Sequence, residues 1–135
     1  MTKDWIPASH ADLLRDETKA FAYLATIMPD GSPQVTPLWF NTDNEHILIN
    51  SAQGRVKDRN MRGNPHVAMC IVDPANPYRY VAIRGMVTEI TQEGADQLID
   101  KLAKKYMNVE KYPYRSPDEV RVIYRISPAN VSGMG

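Results

Sequence analysis

The distribution of apolar and polar residues predicts strands along most of the chain. Six segments are rich in β-branched, aromatic and aliphatic residues: 20–28, 33–41, 46–51, 66–72, 78–90 and 120–127. The turn-forming sequences PDGS and TDNE separate the first three segments and predict a meander of hairpins. Short connections between most segments favour antiparallel pairing. The pattern therefore predicts a mainly β protein, built as a small six-stranded antiparallel barrel.

Three short helices are predicted between these strands. Ser9, followed by Asp12, is typical of a helix N-terminus, and this first helix is expected to run to about Lys19. A second helix of one or two turns is expected before Gly63. The third is indicated by apolar residues at helical spacing: Ala95, Leu98, Ile99, Leu102, Ala103 and Tyr106. Gly85, within the fifth apolar segment, predicts a bulge or bend in its strand.

Composition limits the classes of function. A chain of 135 residues, 43% of them hydrophobic, is long enough for one domain with one core, which we place at 1–135. Sixteen basic residues balance sixteen acidic ones, which argues against nucleic acid and anionic membranes as partners. No segment approaches the ~20 apolar residues of a membrane helix. Cys70 is the only cysteine, which excludes an intramolecular disulfide and favours a cytoplasmic location.

The stretch SAQGRVKDRN, residues 51–60, concentrates positive charge in an otherwise neutral chain. If a helix begins near Lys57, its free backbone N–H groups lie beside the side chains of Arg55 and Lys57. Helix N-termini bind phosphate through such groups and through the helix dipole, and arginine and lysine strengthen the site. Ser51 adds one more hydroxyl donor. The stretch is therefore a candidate phosphate-binding site.

The same stretch also fits a solvated helix surface. Arg55, Arg59 and Arg62 fall at positions i, i+4 and i+7, and Asp58 is available as their ionic partner. Runs of charge usually contact solvent and nothing else. The residues alone leave both interpretations open.

Two aromatic segments also allow either a functional or a structural interpretation. Pro37 lies inside a predicted strand, where its missing N–H indicates an edge or a bulge, and Trp39 and Phe40 follow it. A planar heterocycle could bind against this interrupted backbone, or Trp39 could simply be core. The segment Tyr78 to Tyr80 could be a stacking surface for a ligand or a second subunit, or the start of an amphipathic strand.

The sequence lacks the motifs of other common functional sites. The glycines match neither G-x-G-x-x-G nor G-x-x-x-x-G-K-[ST], which excludes a Rossmann or P-loop nucleotide site. His10, His46 and His66 are scattered without carboxylates at ligand spacing, so no metal site is predicted. No serine has a G-x-S-x-G environment, and Cys70 lies in an apolar run where its thiol is expected to be protonated and inert.

Five stretches, taken in order, resemble the pyridoxamine 5'-phosphate oxidase-like split-barrel family, and most closely its deazaflavin-dependent branch. They are DGSPQVTPLWF, SAQGRVKDRNMRGNP, IVDPANPYRYVAIRGMV, LAKKYMNVEKYP and RVIYRISPANV. The resemblance covers about residues 8–131. It implies a six-stranded FMN-binding split barrel, a homodimer, and a groove between subunits that binds FMN or the deazaflavin F420.

The same resemblance implies roles for individual residues. Arg55 and Lys57 correspond to the basic pair that binds the cofactor phosphate, with Ser51 assisting. The strand residues Val35, Thr36, Pro37 and Leu38 would line one side of the ring system. Residues of the partner subunit would approach the ring from the opposite side, and they correspond to Asn76, Pro77, Tyr78 and Arg79. No catalytic side chain is assigned by the comparison.

The activity implied is an oxidoreductase that transfers a hydride between bound F420 or FMN and a small, electron-poor organic substrate. The C-terminal sequence RISPANVSGMG lacks the Arg- and Trp-containing tail that binds substrate in the pyridoxamine phosphate oxidases, which argues against vitamin B6 oxidation. The alternative is a carrier or sensor of the same fold that binds flavin, deazaflavin or haem without turnover. A nucleic-acid-binding barrel is disfavoured by the neutral charge.

Overall fold

A single antiparallel sheet dominates the computed structural model, which describes residues 4–135. Within those residues the sheet has seven strands: β1 Phe21–Ile27, β2 Pro33–Leu38, β3 Asn41–Thr42, β4 Ile47–Ala52, β5 His66–Asp73, β6 Asn76–Thr91 and β7 Arg121–Met134. A 3₁₀ helix, Ala8–Leu14, precedes the sheet, and the helices α1, Val56–Gly63, and α2, Ala95–Met107, interrupt it. The predicted mainly β, antiparallel fold with three short helices is confirmed.

The sheet curls into a half-barrel. Its strand order is β2-β1-β5-β6-β7-β4-β3, so β2 and β3 lie at opposite edges. Only Trp39 and Phe40 separate these two strands in sequence. Because two residues cannot span a flat seven-stranded sheet, the sheet must bend until its edges approach each other. This bend brings the end of β2 close to β4 and the start of β7.

Three predicted boundaries were wrong. The segment 33–41 is two strands, because its ladder with β1 ends at Leu38 and the chain then turns to pair with β4. The first helix is 3₁₀ and ends at Leu14. The hydroxyl of Ser9 lies 2.8 Å from Nδ1 of His10 and does not cap the helix. The last strand continues past residue 127 to Met134, because the long strand β6 offers it partners as far as Tyr80.

The prediction at Gly85 was correct. The pairing of β6 with β7 shifts register between Arg84 and Gly85, as a bulge requires. A Cβ at Gly85 would lie 2.5 Å from the carbonyl oxygen of Ser127. Only glycine permits this close approach of the two backbones.

Two apolar clusters hold the fold together. The larger fills the barrel and includes Leu24, Phe40, Ile49 and Tyr124, all at most 1% exposed. The smaller lies under α2, whose apolar residues pack against Ile123 with Trp39 at the margin: Ala95, Leu98, Ile99 and Leu102. Helix α2 therefore covers the side of the barrel next to β2 and β4. None of the described helices is long and apolar enough to cross a bilayer.

Candidate functional site

A cleft of about 280 Å³ lies where β2, β4, α1, α2 and β7 meet. It brings together five of the residues singled out from the sequence: Pro37, Leu38, Ser51, Arg55 and Lys57. The other lining residues are Trp39, Asn50, Ile99, Leu102, Tyr112, Tyr114 and Arg121. The basic stretch is therefore not merely a solvated helix surface, because two of its cations face a concave site.

The turn before α1 places the first of these cations. Gly54 adopts φ +92°, a left-handed conformation that favours glycine, and lets the chain leave β4 sharply. Arg55 is the N-cap of α1, and Lys57 lies in the first turn. The backbone N–H of Gly54 donates to Oδ2 of Asp58 at 2.9 Å. This bond ties the turn to the helix and fixes where the side chains of Arg55 and Lys57 begin.

Asp58 fixes the turn and the start of α1 through hydrogen bonds to its carboxylate. It is 2% exposed and accepts hydrogen bonds from the hydroxyl of Tyr124 at 2.5 Å and from Nε of Arg62 at 3.0 Å. Burial alone would raise the pKa of its carboxyl, but the bonds from Gly54, Tyr124 and Arg62 outweigh burial and hold the pKa below its usual value. The carboxylate is consequently ionised at neutral pH and fully occupied by its partners. It does not cancel the charge of the cleft.

Positive charge exceeds negative charge inside the cleft. Nη2 of Arg55 lies 3.3 Å from Oε1 of Glu119, and Nη1 of Arg121 forms an ion pair with the same oxygen. Lys57 forms no ion pair with any described residue. Its pKa is lowered by burial first, and then by the charges of Arg55 and Arg121. Arg55 and Arg121 thus share the carboxylate of Glu119, while Lys57 has no ionic partner among the described residues, and this excess of positive charge is the electrostatic signature of an anion-binding site.

Ser51 supplies independent support for a ligand. The residue is 1% exposed, and its Oγ is buried without a hydrogen-bond partner among the described residues. A buried unsatisfied hydroxyl costs roughly 1–3 kcal/mol. An oxygen of a phosphate group bound between Arg55 and Lys57 would accept a hydrogen bond from this hydroxyl and remove that cost. The side chains present therefore fit the phosphate of FMN or of F420.

Aromatic side chains form another part of the cleft wall. Trp39 stacks on Tyr106 with ring centroids 5.2 Å apart and an interplanar angle of 1°. Tyr112 meets Trp39 edge-on at 6.1 Å, and Tyr114 meets Tyr112 at 5.7 Å. Burial raises the pKa of Tyr106 to about 12, and its hydroxyl donates to the carbonyl of Ala20, so it is a neutral, fixed support. Trp39 is therefore both partly core and part of the cleft.

The remaining predicted residues of β2 lie outside the cleft. Val35 is 65% exposed and borders a different hollow, on the outer surface of the sheet with Tyr23. The hydroxyl of Thr36 accepts from the side chain of Gln34 at 3.0 Å. Since β2 is an edge strand, the placement of Pro37 agrees with its missing N–H.

Residues Asn76 to Arg79 do not line the cleft of their own chain. Arg79 is held by carboxylates on two sides, with Nη2 2.6 Å from Asp12 and Nη1 3.0 Å from Asp73. These contacts raise its pKa further and fix its direction. Tyr78 is 82% exposed. A single chain does not test whether this segment contributes to the site of a second subunit, so that contribution stays a prediction.

Sequence reasoning missed the part of the cleft that comes from β7 and the loop before it. Arg121 pairs with Ala52 in the ladder between β4 and β7, which places it beside Ser51. Asn50, Glu119, Tyr112 and Tyr114 were also not predicted. No local signal identifies them, because their proximity to residues 51–57 depends on a strand pairing between distant segments.

Other hollows and reactive side chains show fewer features of a functional site. A larger hollow of about 730 Å³ lies between the 3₁₀ helix and β3, but Asp4 and Asp16 face Arg15 and Lys101 there, so neither sign of charge is in excess. No group of three potential metal ligands occurs in the described part of the chain. Cys70 is half-buried, and burial raises the pKa of its thiol.

Comparisons with known proteins indicate the family to which the chain belongs. A family model described as pyridoxamine 5'-phosphate oxidase matches residues 6–135. A solved structure named F420 reductase is 36% identical, with 94% of this chain and 98% of that chain covered and a TM-score of 0.81. A putative pyridoxamine 5'-phosphate oxidase from Listeria innocua is 17% identical, with 93% and 94% covered and a TM-score of 0.67.

HupZ of Group A Streptococcus is 21% identical over 95% of this chain and 93% of that chain, with a TM-score of 0.66. The two likenesses below one quarter identity show the fold alone. The family model, in contrast, spans almost all of the described residues, and the F420 reductase is more than one third identical over nearly the whole chain. The chain therefore belongs to the pyridoxamine 5'-phosphate oxidase family.

Proposed function

We propose that this protein is an oxidoreductase that binds FMN or F420 by its phosphate in the cationic cleft. The observation that carries the proposal is the buried hydroxyl of Ser51, which lies in the same cleft as Arg55 and Lys57 and has no partner among residues 4–135. Family membership and the similarity to a protein named F420 reductase support the same assignment. The reduced ring, once bound, would supply a hydride to a small, electron-poor organic substrate, with the accompanying proton taken from water.

Each part of the cleft has a role in this function. Arg55 and Lys57 would bind the phosphate through charge-assisted hydrogen bonds, and Ser51 would donate a further one. The ring would lie against Pro37 and Leu38, where β2 pairs with β1 alone among the described strands. The backbone groups on the free side of this edge strand would then orient the ring. The chain's contribution to the reaction is to position the cofactor and to exclude water.

A second copy of the chain would complete the site. The outer surface of the sheet exposes Tyr23, Val35 and Met86 at 41%, 65% and 43%. Contiguous apolar surface of this kind is typical of a subunit interface. In a homodimer built on this surface, residues Asn76 to Arg79 of the partner would approach the ring. The ion pairs of Arg79 with Asp12 and Asp73 would keep that segment in one conformation.

The experiment that tests the function is a titration followed by a turnover assay. We expect purified protein to bind FMN, F420 or both below ~100 μM, an affinity near 5 to 6 kcal/mol. We further expect substoichiometric protein to oxidise reduced cofactor repeatedly when a quinone is added as an electron-poor acceptor. Binding without repeated turnover would identify the carrier alternative. Binding of neither cofactor would refute both.

A further inference from the structure

Arg121 occupies the cleft but has no role in the function proposed above. It is 6% exposed, at the first position of β7. Its Nε donates to Oδ1 of Asn50 at 2.9 Å, and Asn50 in turn donates to the carbonyl of Ala95 at 2.8 Å. The ring of Tyr112 lies 5.4 Å from the guanidinium carbon. Asn50 and Tyr112, together with the ion pair to Glu119, thus hold the head of Arg121 in the cleft.

Some N–H donors of the Arg121 guanidinium have no partner among the described residues. An arginine head carries five N–H groups, and this one uses Nε for Asn50 and Nη1 for Glu119. Nη2 makes no hydrogen bond with any described residue. Because Arg121 lines the same cleft as Ser51 and Lys57, these spare donors are available to the same ligand.

Glu119 is the counterion that Arg121 shares with Arg55. Burial would raise the pKa of its carboxyl, but the hydrogen bond and charge of Arg121, and the charge of Arg55, hold the pKa below its usual value. Glu119 is therefore an anion at neutral pH. It keeps Arg121 aligned, and it also repels any second anion that enters the cleft.

We propose that Arg121 is a third binding residue for the phosphate of the ligand and that Glu119 both positions it and limits the affinity of the site. The proposal rests on the function assigned above, since it takes the cleft to be the phosphate site. With Arg55, Lys57 and Arg121 against Glu119, the side chains suit a phosphate group bearing up to two negative charges. Ser51, whose buried hydroxyl has no hydrogen-bond partner among the described residues, lines the same cleft.

The first test removes the counterion and keeps the arginine. Glu119→Gln retains an oxygen acceptor for Arg121 while it deletes the negative charge. We expect this variant to bind FMN about threefold to tenfold more tightly than the wild type. Unchanged or weaker binding in a folded variant would contradict the role given to Glu119.

The second test removes the arginine. Arg121→Gln should weaken FMN binding at least tenfold, but it removes one of the two cations that pair with the partly buried Glu119, and this loss can impair folding. The double variant Glu119→Gln with Arg121→Gln replaces the ion pair by a neutral pair and keeps the test valid. Arg125→Gln is the matched control, because Arg125 lies in the same strand and pairs with Glu89, outside the cleft.

Riboflavin separates a phosphate contact from a structural effect, because it has the same ring and no phosphate. If Arg121 binds the phosphate, its variants lose affinity for FMN and keep their affinity for riboflavin. Equal losses for the two ligands, or none, would overturn the proposal while the function stands. If wild-type protein binds neither FMN nor F420, the assigned function fails first, and this inference fails with it. The same comparison applies to F420 and its phosphate-free ring compound.

Discussion

Replacing Arg55 and Lys57 together by glutamine should lower the affinity for FMN and for F420 by about 100-fold or more. Each cation is expected to contribute a charge-assisted hydrogen bond of about 1.5–3 kcal/mol, and each such loss corresponds to roughly a tenfold change in Kd or more. Single variants should therefore lose about tenfold each. Fluorescence titration with both ligands measures the effect.

A matched control separates local contacts from total charge. Lys101 and Lys104 are exposed on α2, outside the cleft, so Lys101→Gln with Lys104→Gln removes the same charge. We expect this control to bind both ligands within about twofold of the wild type, since exposed charges at a distance are screened by salt. Similar losses in the two double variants would mean that the cleft has no specific role.

Asp58→Ala should lower the free energy of unfolding by about 3 kcal/mol. The substitution leaves the buried hydroxyl of Tyr124 and the N–H of Gly54 without their acceptor, and it removes the partner of Arg62. Each buried group left without a partner costs roughly 1–3 kcal/mol. Denaturant unfolding measures the loss. Tyr124→Phe, which removes one hydrogen bond and keeps the ring, should cost only about 1 kcal/mol.

The stabilisation by Asp58 also predicts a pH dependence. Its pKa in the folded protein is lower than in the unfolded chain, so its contribution is complete above the unfolded pKa of about 3.9. The contribution is lost as the pH falls through the folded pKa. The difference in stability between wild type and Asp58→Asn should therefore shrink below about pH 4. A difference that is constant down to pH 2 would show that the carboxylate is not held by these bonds.

Local patterns predicted the elements of the fold well, because strand and helix periodicity depends on neighbouring residues. The boundaries failed where distant partners decide them. Met134 is in a strand because β6 extends far enough to pair with it, and β2 ends before Trp39 because the sheet must curl there. No property of either residue alone contains this information.

The same distinction between local patterns and distant partners explains which residues of the cleft could be predicted. Ser51, Arg55 and Lys57 lie within one short stretch, so their convergence on a helix N-terminus could be predicted from spacing. Arg121 and Glu119 come from the other end of the chain and reach the site through the ladder between β4 and β7. Predicting them required the strand register. The role proposed for residues 76–79 would require a second subunit, and the sequence of one chain does not give the contacts between two copies.

A crystal structure of the protein with FMN or F420 bound would test the phosphate site most directly. We expect the ligand's phosphate to lie within hydrogen-bond distance of the guanidinium of Arg55, the ammonium of Lys57 and the hydroxyl of Ser51. We also expect residues 76–79 of a second copy to lie beside the ring. A phosphate bound elsewhere, with Arg55 and Lys57 directed into solvent, would contradict the proposed site.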